Sequence, residues 1–269
     1  MRPQSLGPSD DQITFTANLD RFTLEPLMTA PDMHPNYGID APGVIRGLLL
    51  SATIVFAFAM FVPEIRLGSV TFGLRPMAWS FAPWLAFGGV LMLVYAKWGK
   101  FRHRDRMLSL IPWTGAETVL DVGTGRGLLM IGAAKRLTSG RSVGIDIWSA
   151  IDLSGNRPEN TLRNAELEGV ANKIEVRSED ATKMTFPDAT FDIVLSNLCI
   201  HNIPKREGRE AACREIIRVL KTGGIALISD FIHLREYAAA FQQAGATTER
   251  AGWFLFDTFP PLGILRVKK

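Results

Sequence analysis

The chemistry of this sequence is concentrated in five residues, Gly123-Thr124-Gly125-Arg126-Gly127, set between the apolar run ETVLDV (117–122) and the helix-forming run GLLMIGAAKRL. Glycine lets the backbone turn sharply and lets a ligand approach the peptide groups without a Cβ in the way, and a helix start offers unpaired N–H donors. Such a loop at the carboxyl end of a strand suits a nucleotide-type ligand. Two acids extend the pattern. Asp146 stands 19 residues beyond Gly127, at the end of the next apolar run, where a carboxylate can accept both hydroxyls of a ribose. Asp180 follows the third run and is placed to reach an adenine amino group, with Glu179 beside it as the alternative. The GxGxG spacing departs from the GxGxxG dinucleotide fingerprint, and Asp121 ahead of the first glycine would repel a pyrophosphate. A cationic ligand suits it better, which argues against a nicotinamide oxidoreductase.

These residues need a sheet edge to bring them together. ETVLDV, SVGIDI (142–147), KIEVRS (173–178), FDIVLSN (191–197) and GIALISD (224–230) read as strands, and the segments between them carry helical spacing. Strict alternation implies βαβ units and a parallel sheet covered on both faces. The tail reads as a helix, LREYAAAFQQAG, followed by strands GWFLFDTF (252–259) and GILRVKK (263–269) joined by a tight Pro260-Pro261 turn.

From about 110 to 269 the sequence resembles the class I S-adenosylmethionine-dependent methyltransferases. VLDVGTGRG is similar to their first motif, GIDIW to the second, SEDATKMTF to the third and FDIVLSNLCIHNI to the fourth; RVLKTGG resembles the later RVLKPGG segment, with Thr222 in place of proline. The resemblance implies an α/β, Rossmann-like seven-stranded sheet whose last strand is antiparallel, and S-adenosylmethionine as cofactor. It implies that Asp121 and the backbone at Gly123 and Gly125 hold the methionine part, with Thr124 and Gly127 among the cofactor-binding residues. Asp146 would hold the ribose, Ile147 would pack on the adenine, Asp180 with Ala181 would meet the adenine edge, and Asn197 would border the methyl group.

Methyl transfer from a sulfonium needs a nucleophile held close to the methyl carbon in a dry pocket, with a base only where the acceptor must lose a proton. His201 is the candidate base, or it orients the loop; Cys199 suggests thiol chemistry or simple packing. With only Cys213 besides, no soft-metal thiolate site is expected. Trp148, Asp230 and His233, at strand ends on the same edge, are candidates for the acceptor pocket. Tyr37 and His34 are candidates for a lid, and His103, among basic residues, is expected in solvent.

The remaining residues have a different character. Of 269 residues 47% are hydrophobic and 21% charged, with a mean hydropathy of +0.11, which excludes a disordered chain and is high for an ordinary soluble enzyme. Residues 1–43 read as an irregular arm, and 1–46 carry a net charge of −3. Uncharged runs at 47–63 and 76–96, the first extended by Val44, Ile45 and Arg46, predict a transmembrane helical hairpin over 44–96. The alternative is a pair of buried core helices. Gly43, Gly47 and Ser51 form a small-residue stripe expected to pack inside the hairpin, with oligomer formation as the other reading. A basic linker at 97–109 follows, with a net charge of +4 over 97–106, and the domain spans 110–269. The positive-inside rule then places the domain on the cytoplasmic side. Residues 107–269 carry only +1, so the basic cluster points to topology or anionic headgroups and away from nucleic acid. The reading is a membrane-anchored methyltransferase of a small, hydrophobic or lipid-like acceptor. The alternative is a non-catalytic membrane module that binds the cofactor.

Overall fold

The computed structural model describes residues 34–62 and 64–269, so most of the arm read at 1–43 lies outside the described residues. Helix α1 (Pro42–Phe61) is followed by two short strands, β1 (Glu64–Leu67) and β2 (Val70–Gly73), paired antiparallel in a hairpin that the sequence had not suggested. Helix α2 (Leu74–Val94) returns alongside α1. The two are long and apolar enough to cross a membrane, with 17% of the most apolar window of α1 buried. They pack on each other at Gly89, where a Cβ would lie 2.9 Å from Leu49, and through the Phe56 and Trp79 rings, 5.6 Å apart. Leu50, Ile54, Phe58, Trp84 and Phe87 remain exposed, so these are not core helices of the domain. Gly43 and Gly47 also face open space, and Ser51 is exposed. The small-residue stripe therefore does not pack the hairpin.

Beyond α2 the helix continues through one π-helical turn (Tyr95–Gly99) into α3 (Lys100–Ser109). The basic stretch is thus helical and docked. His103 is buried rather than solvated, with Nε2 2.7 Å from Ser229 Oγ, because it shares a helix face with Gly99 and Met107. Three of the five basic residues have protein partners. Lys100 meets backbone carbonyls at 37 and 38, Arg104 pairs with Asp105, and Arg106 pairs with Asp257. Lys97 and Arg102 are exposed.

The domain holds β3 (Thr118–Val122), α4 (Leu128–Ala134), β4 (Arg141–Asp146), α5 (Pro158–Leu167), β5 (Ile174–Ser178), β6 (Phe191–Asn197), α6 (Arg206–Val219), β7 (Leu220–Asp230), α7 (Leu234–Gln243), β8 (Thr247–Phe254) and β9 (Leu262–Lys268). The sheet order is β5-β4-β3-β6-β7-β9-β8, with β9, the last strand in the chain, antiparallel to both neighbours. Strand alternation divides the core. Leu120, Val122, Val143 and Ile145 pack with Cys213, Ile216, Tyr237 and Phe241 on one face; Val119, Ile193 and Leu195 pack with Met107, Leu108, Leu129 and Ala133 on the other. The chain runs outward from β3 to β5, then returns to place β6 on the other side of β3. That reversal opens a crevice at the carboxyl ends of β3 and β6. The sixth strand begins at Thr247, five residues before the expected Gly252, and the connection to β9 occupies 255–261, longer than the tight turn expected.

Candidate functional site

At the crevice, β3 leads into the glycine loop, and the loop conformation explains the three glycines. Gly123, Gly125 and Gly127 have φ of +74°, +53° and +85°, a region open to glycine and costly for other residues. The Gly123 and Thr124 N–H groups donate to the Ile145 carbonyl at 2.9 and 3.0 Å, pinning the loop to the end of β4. Asp121 Oδ2 accepts from the Thr124 hydroxyl and from the Met130 N–H, each at 2.9 Å, so this acid also ties the loop to the first turn of α4. Gly127 caps α4 and lies off the cavity wall; its missing Cβ makes room for Ile131 and Thr161.

Asp146 is the hub. Its Oδ2 accepts the Gly125 N–H at 2.8 Å and its Oδ1 accepts the Trp148 N–H at 2.6 Å and the Asn156 amide at 3.2 Å. The carboxylate is therefore already aimed between the glycine loop and the segment after β4. Ile147 next to it is 70% exposed and offers an apolar face for a base. At the end of β5, both Glu179 oxygens are held by Thr185, at 3.0 and 2.7 Å. Asp180 accepts only the Thr182 N–H at 2.8 Å through Oδ1, which leaves Asp180 as the acid with capacity for a ligand.

A cavity of about 560 Å³ connects these groups, lined among others by Asp121, Gly125, Asp146, Ile147, Asp180 and Asn197. Gly123, Thr124 and Ala181 also line it. Asn197 ends β6, and its buried Oδ1 has no hydrogen-bond partner. Burial pushes the Asp121 carboxyl up to about 7, opposed by its bonds to Thr124 and Met130. The half-buried Cys199 thiol is also pushed up, by desolvation and by the acids Asp146, Asp230 and Asp121 around it, which makes it a packing group rather than a thiolate. It fills the space left by Gly123: a Cβ there would lie 2.3 Å from Cys199 Sγ. Gly123→Ala combines this clash with the positive φ, so a loss of about 2 kcal/mol or more is expected in chemical denaturation. Adding Cys199→Gly should recover the clash portion, measured by a double-mutant cycle.

Several candidates fall elsewhere. His201 lies off the cavity wall, its Nδ1 2.9 Å from Asp230 Oδ1 without hydrogen-bond alignment and its ring 4.8 Å from Phe231. That placement fits loop orientation better than proton removal from an acceptor. Trp148, Asp230 and His233 also lie outside the lining. Trp148 bonds Ser178, Asp230 is fully buried against Tyr237 and Phe231, and His233 caps α7.

On the opposite wall the sequence had singled out only the lid candidates Tyr37 and His34. The segment 36–41 straps the cavity: Asn36 and Asn164 exchange two hydrogen bonds, the Ile39 N–H donates to Ser154 Oγ at 2.7 Å, and the Ala41 N–H donates to the Asp152 carbonyl at 2.8 Å. Buried Lys100 latches it, donating to the Tyr37 and Gly38 carbonyls at 2.8 and 2.6 Å with Asp40 at 3.4 Å. Tyr37, Asp40, Lys100 and Arg126 line the cavity from this side. Tyr37 was a lid candidate and does line the cavity; His34 does not.

Residues 120–228 match the family model described as "Methyltransferase domain". The chain is 28% identical over 131 residues to the 27-O-demethylrifamycin SV methyltransferase of Amycolatopsis mediterranei, covering 49% of this chain and 44% of that one. It is 31% identical over 131 residues to a ubiquinone/menaquinone biosynthesis C-methyltransferase of Hydrogenovibrio crunogenus, covering 48% and 47%. The chain spans about half the length of the curated relatives it matches. The YcgJ protein of Bacillus subtilis shares the fold, with a TM-score of 0.52, 16% identity and coverage of 62% of this chain and 97% of that one. Over residues 120–228 the chain thus carries a methyltransferase domain, set in the fold that it shares with YcgJ.

Proposed function

We propose that this chain is a membrane-anchored methyltransferase that transfers the cofactor's methyl group to a small, apolar acceptor at the cytoplasmic face of a membrane. The observation that carries the reading is the cavity in which Asp121, Gly125, Asp146, Ile147 and Asp180 meet at the carboxyl edge of the sheet. The bound cofactor supplies an electrophilic methyl on a cationic sulfur. The chain's own part is to orient and to exclude water. Asp146 grips the ribose, Ile147 and Ala181 flank the adenine, and Asp180 accepts from its edge. Asp121 faces the cationic methionine portion, and Asn197 offers an unpartnered oxygen beside the transfer point. The strap at 36–41 and buried Lys100 close the far wall, so an acceptor is held in a partly dry site where proximity lowers the barrier.

The apolar acceptor is supported from two sides. The relative named for ubiquinone and menaquinone biosynthesis acts in making quinones, and α1 and α2 leave a wide apolar surface that water would penalise and a bilayer would cover. Exposed Lys97 and Arg102 after α2 support a cytoplasmic domain by the positive-inside rule. Membranes containing the chain, incubated with radiolabelled methyl donor, are expected to carry label into the organic extract. Label confined to the aqueous phase would remove the apolar acceptor.

A further inference from the structure

The helix that leaves the apolar hairpin does not end where the domain begins. At Tyr95–Gly99 it takes a π turn, a local widening that changes which residues face the domain and that recurs at functional sites. Tyr95, Ala96, Gly99 and Lys100 are buried, while Leu91, Val94 and Trp98 line a second cavity of about 190 Å³. Its other wall is the 255–259 loop, with Leu255, Phe256 and Phe259, and its polar side chains include Arg102 and Asp257.

That loop is fixed. Asp257 pairs with Arg106, whose guanidinium lies 4.0 Å from the Phe254 ring centre. The Thr258 hydroxyl donates to the Phe254 carbonyl at 2.5 Å and accepts the Leu262 N–H at 3.1 Å. Gly99 passes beneath so closely that a Cβ would lie 2.3 Å from the Asp257 carbonyl oxygen. Yet Leu255 and Phe256 stand exposed at the groove mouth beside Trp98, Phe256 completely. Tethered backbone presenting bare apolar side chains marks a contact site for something apolar.

Tyr95 links this groove to the chemistry. It lines the groove, is 4% exposed, and its hydroxyl is turned to the Asn197 side chain. Asn197 and Asp40 line the cofactor cavity, and Asn197 Oδ1 lacks a partner. We propose that the groove between the end of α2 and the 255–259 loop is the subsite for the hydrocarbon part of the acceptor, divided from the methyl-transfer point by the Tyr95 side chain. The occupant is hydrocarbon because the groove continues the outward apolar face of α2, where Phe87, Val90 and Val94 are exposed. A lipid-dissolved molecule on that face can enter tail-first without crossing water, and displacing the Tyr95 ring joins the two cavities. The assignment rests on the methyltransferase reading above.

The test uses the full chain in lipid nanodiscs and a dodecyl alcohol bearing a photoactivatable diazirine at its terminal carbon, with labelled peptides mapped by mass spectrometry. Label is expected on Trp98 and on 253–259, reduced at least fivefold by Leu91→Trp or Val94→Trp, each of which fills the groove. In Tyr95→Ala the label is expected to spread to 197–199, unlabelled in the wild type. The proposal is overturned if groove residues label no more than outward-facing Ile54 and Trp84, if neither filling variant reduces the label, or if Tyr95→Ala leaves 197–199 unlabelled. Cofactor binding measured on every variant reports that the domain is folded and separates the two claims. A chain that binds cofactor but does not label in the groove loses the subsite and keeps the methyltransferase reading. A wild-type chain that labels in the groove but binds no cofactor overturns the acceptor assignment through the enzyme reading instead.

Discussion

Asp146→Ala is expected to weaken S-adenosylmethionine binding by about two orders of magnitude or more in isothermal titration. Two charge-assisted hydrogen bonds to a ribose contribute roughly 1.5 kcal/mol each, or about 3 kcal/mol together. The same substitution strips the acceptor from the Gly125 and Trp148 N–H groups and from the Asn156 amide, so the loop loses its shape along with its ligand. Asp146→Asn, which keeps one acceptor oxygen, should fall between the two. Wild-type affinity in Asp146→Ala would show that the ribose is held elsewhere.

A second large effect is expected from Asp121. Burial raises its carboxyl from 3.8 to about 7, so between about pH 4 and 7 the folded chain keeps a proton that the unfolded chain has released. By linkage, this group favours the folded state most at low pH, and its contribution is lost as pH rises through 7. A cationic ligand reverses the preference, because it binds the ionised carboxylate. Affinity for S-adenosylmethionine should therefore rise about tenfold between pH 6 and 8, with proton release visible as a buffer-dependent binding enthalpy. Asp121→Asn should bind more weakly and lose the slope. A slope that survives Asp121→Asn would place the titrating group elsewhere.

The parallel core was legible because β3, β4 and β6 are buried on both faces and read as unbroken apolar runs. Strand β8 began earlier than its apolar signal because Thr247–Arg250 lie on the sheet edge, where polar residues are tolerated and the pattern starts only near Trp253. The exposed 64–73 hairpin buries nothing and left no periodicity to read. Of the site, the glycine loop and the acids after β4 and β5 stood out because local backbone chemistry demands those residue types. Of the far wall only Tyr37 did, from its position ahead of the first apolar run. Lys100 and His103 sit in a run of charges that looks solvated, and only the helix face defined by the π turn shows them buried. Strap 36–41 reaches the cavity through hydrogen bonds to partners more than one hundred residues away, which no local pattern encodes. His201 illustrates the reverse: its position after β6 suggested a base or a loop-orienting group, and its ring lies against Asp230 and Phe231, off the cavity wall.

The most direct test of the central claim is a crystal structure of the chain with S-adenosylhomocysteine, the product that retains the sugar and the base. The ribose oxygens should lie within hydrogen-bonding distance of Asp146, with the adenine against Ile147 and its edge toward Asp180. Density for the ligand at another site, or an unfilled crevice at saturating ligand, would contradict the account.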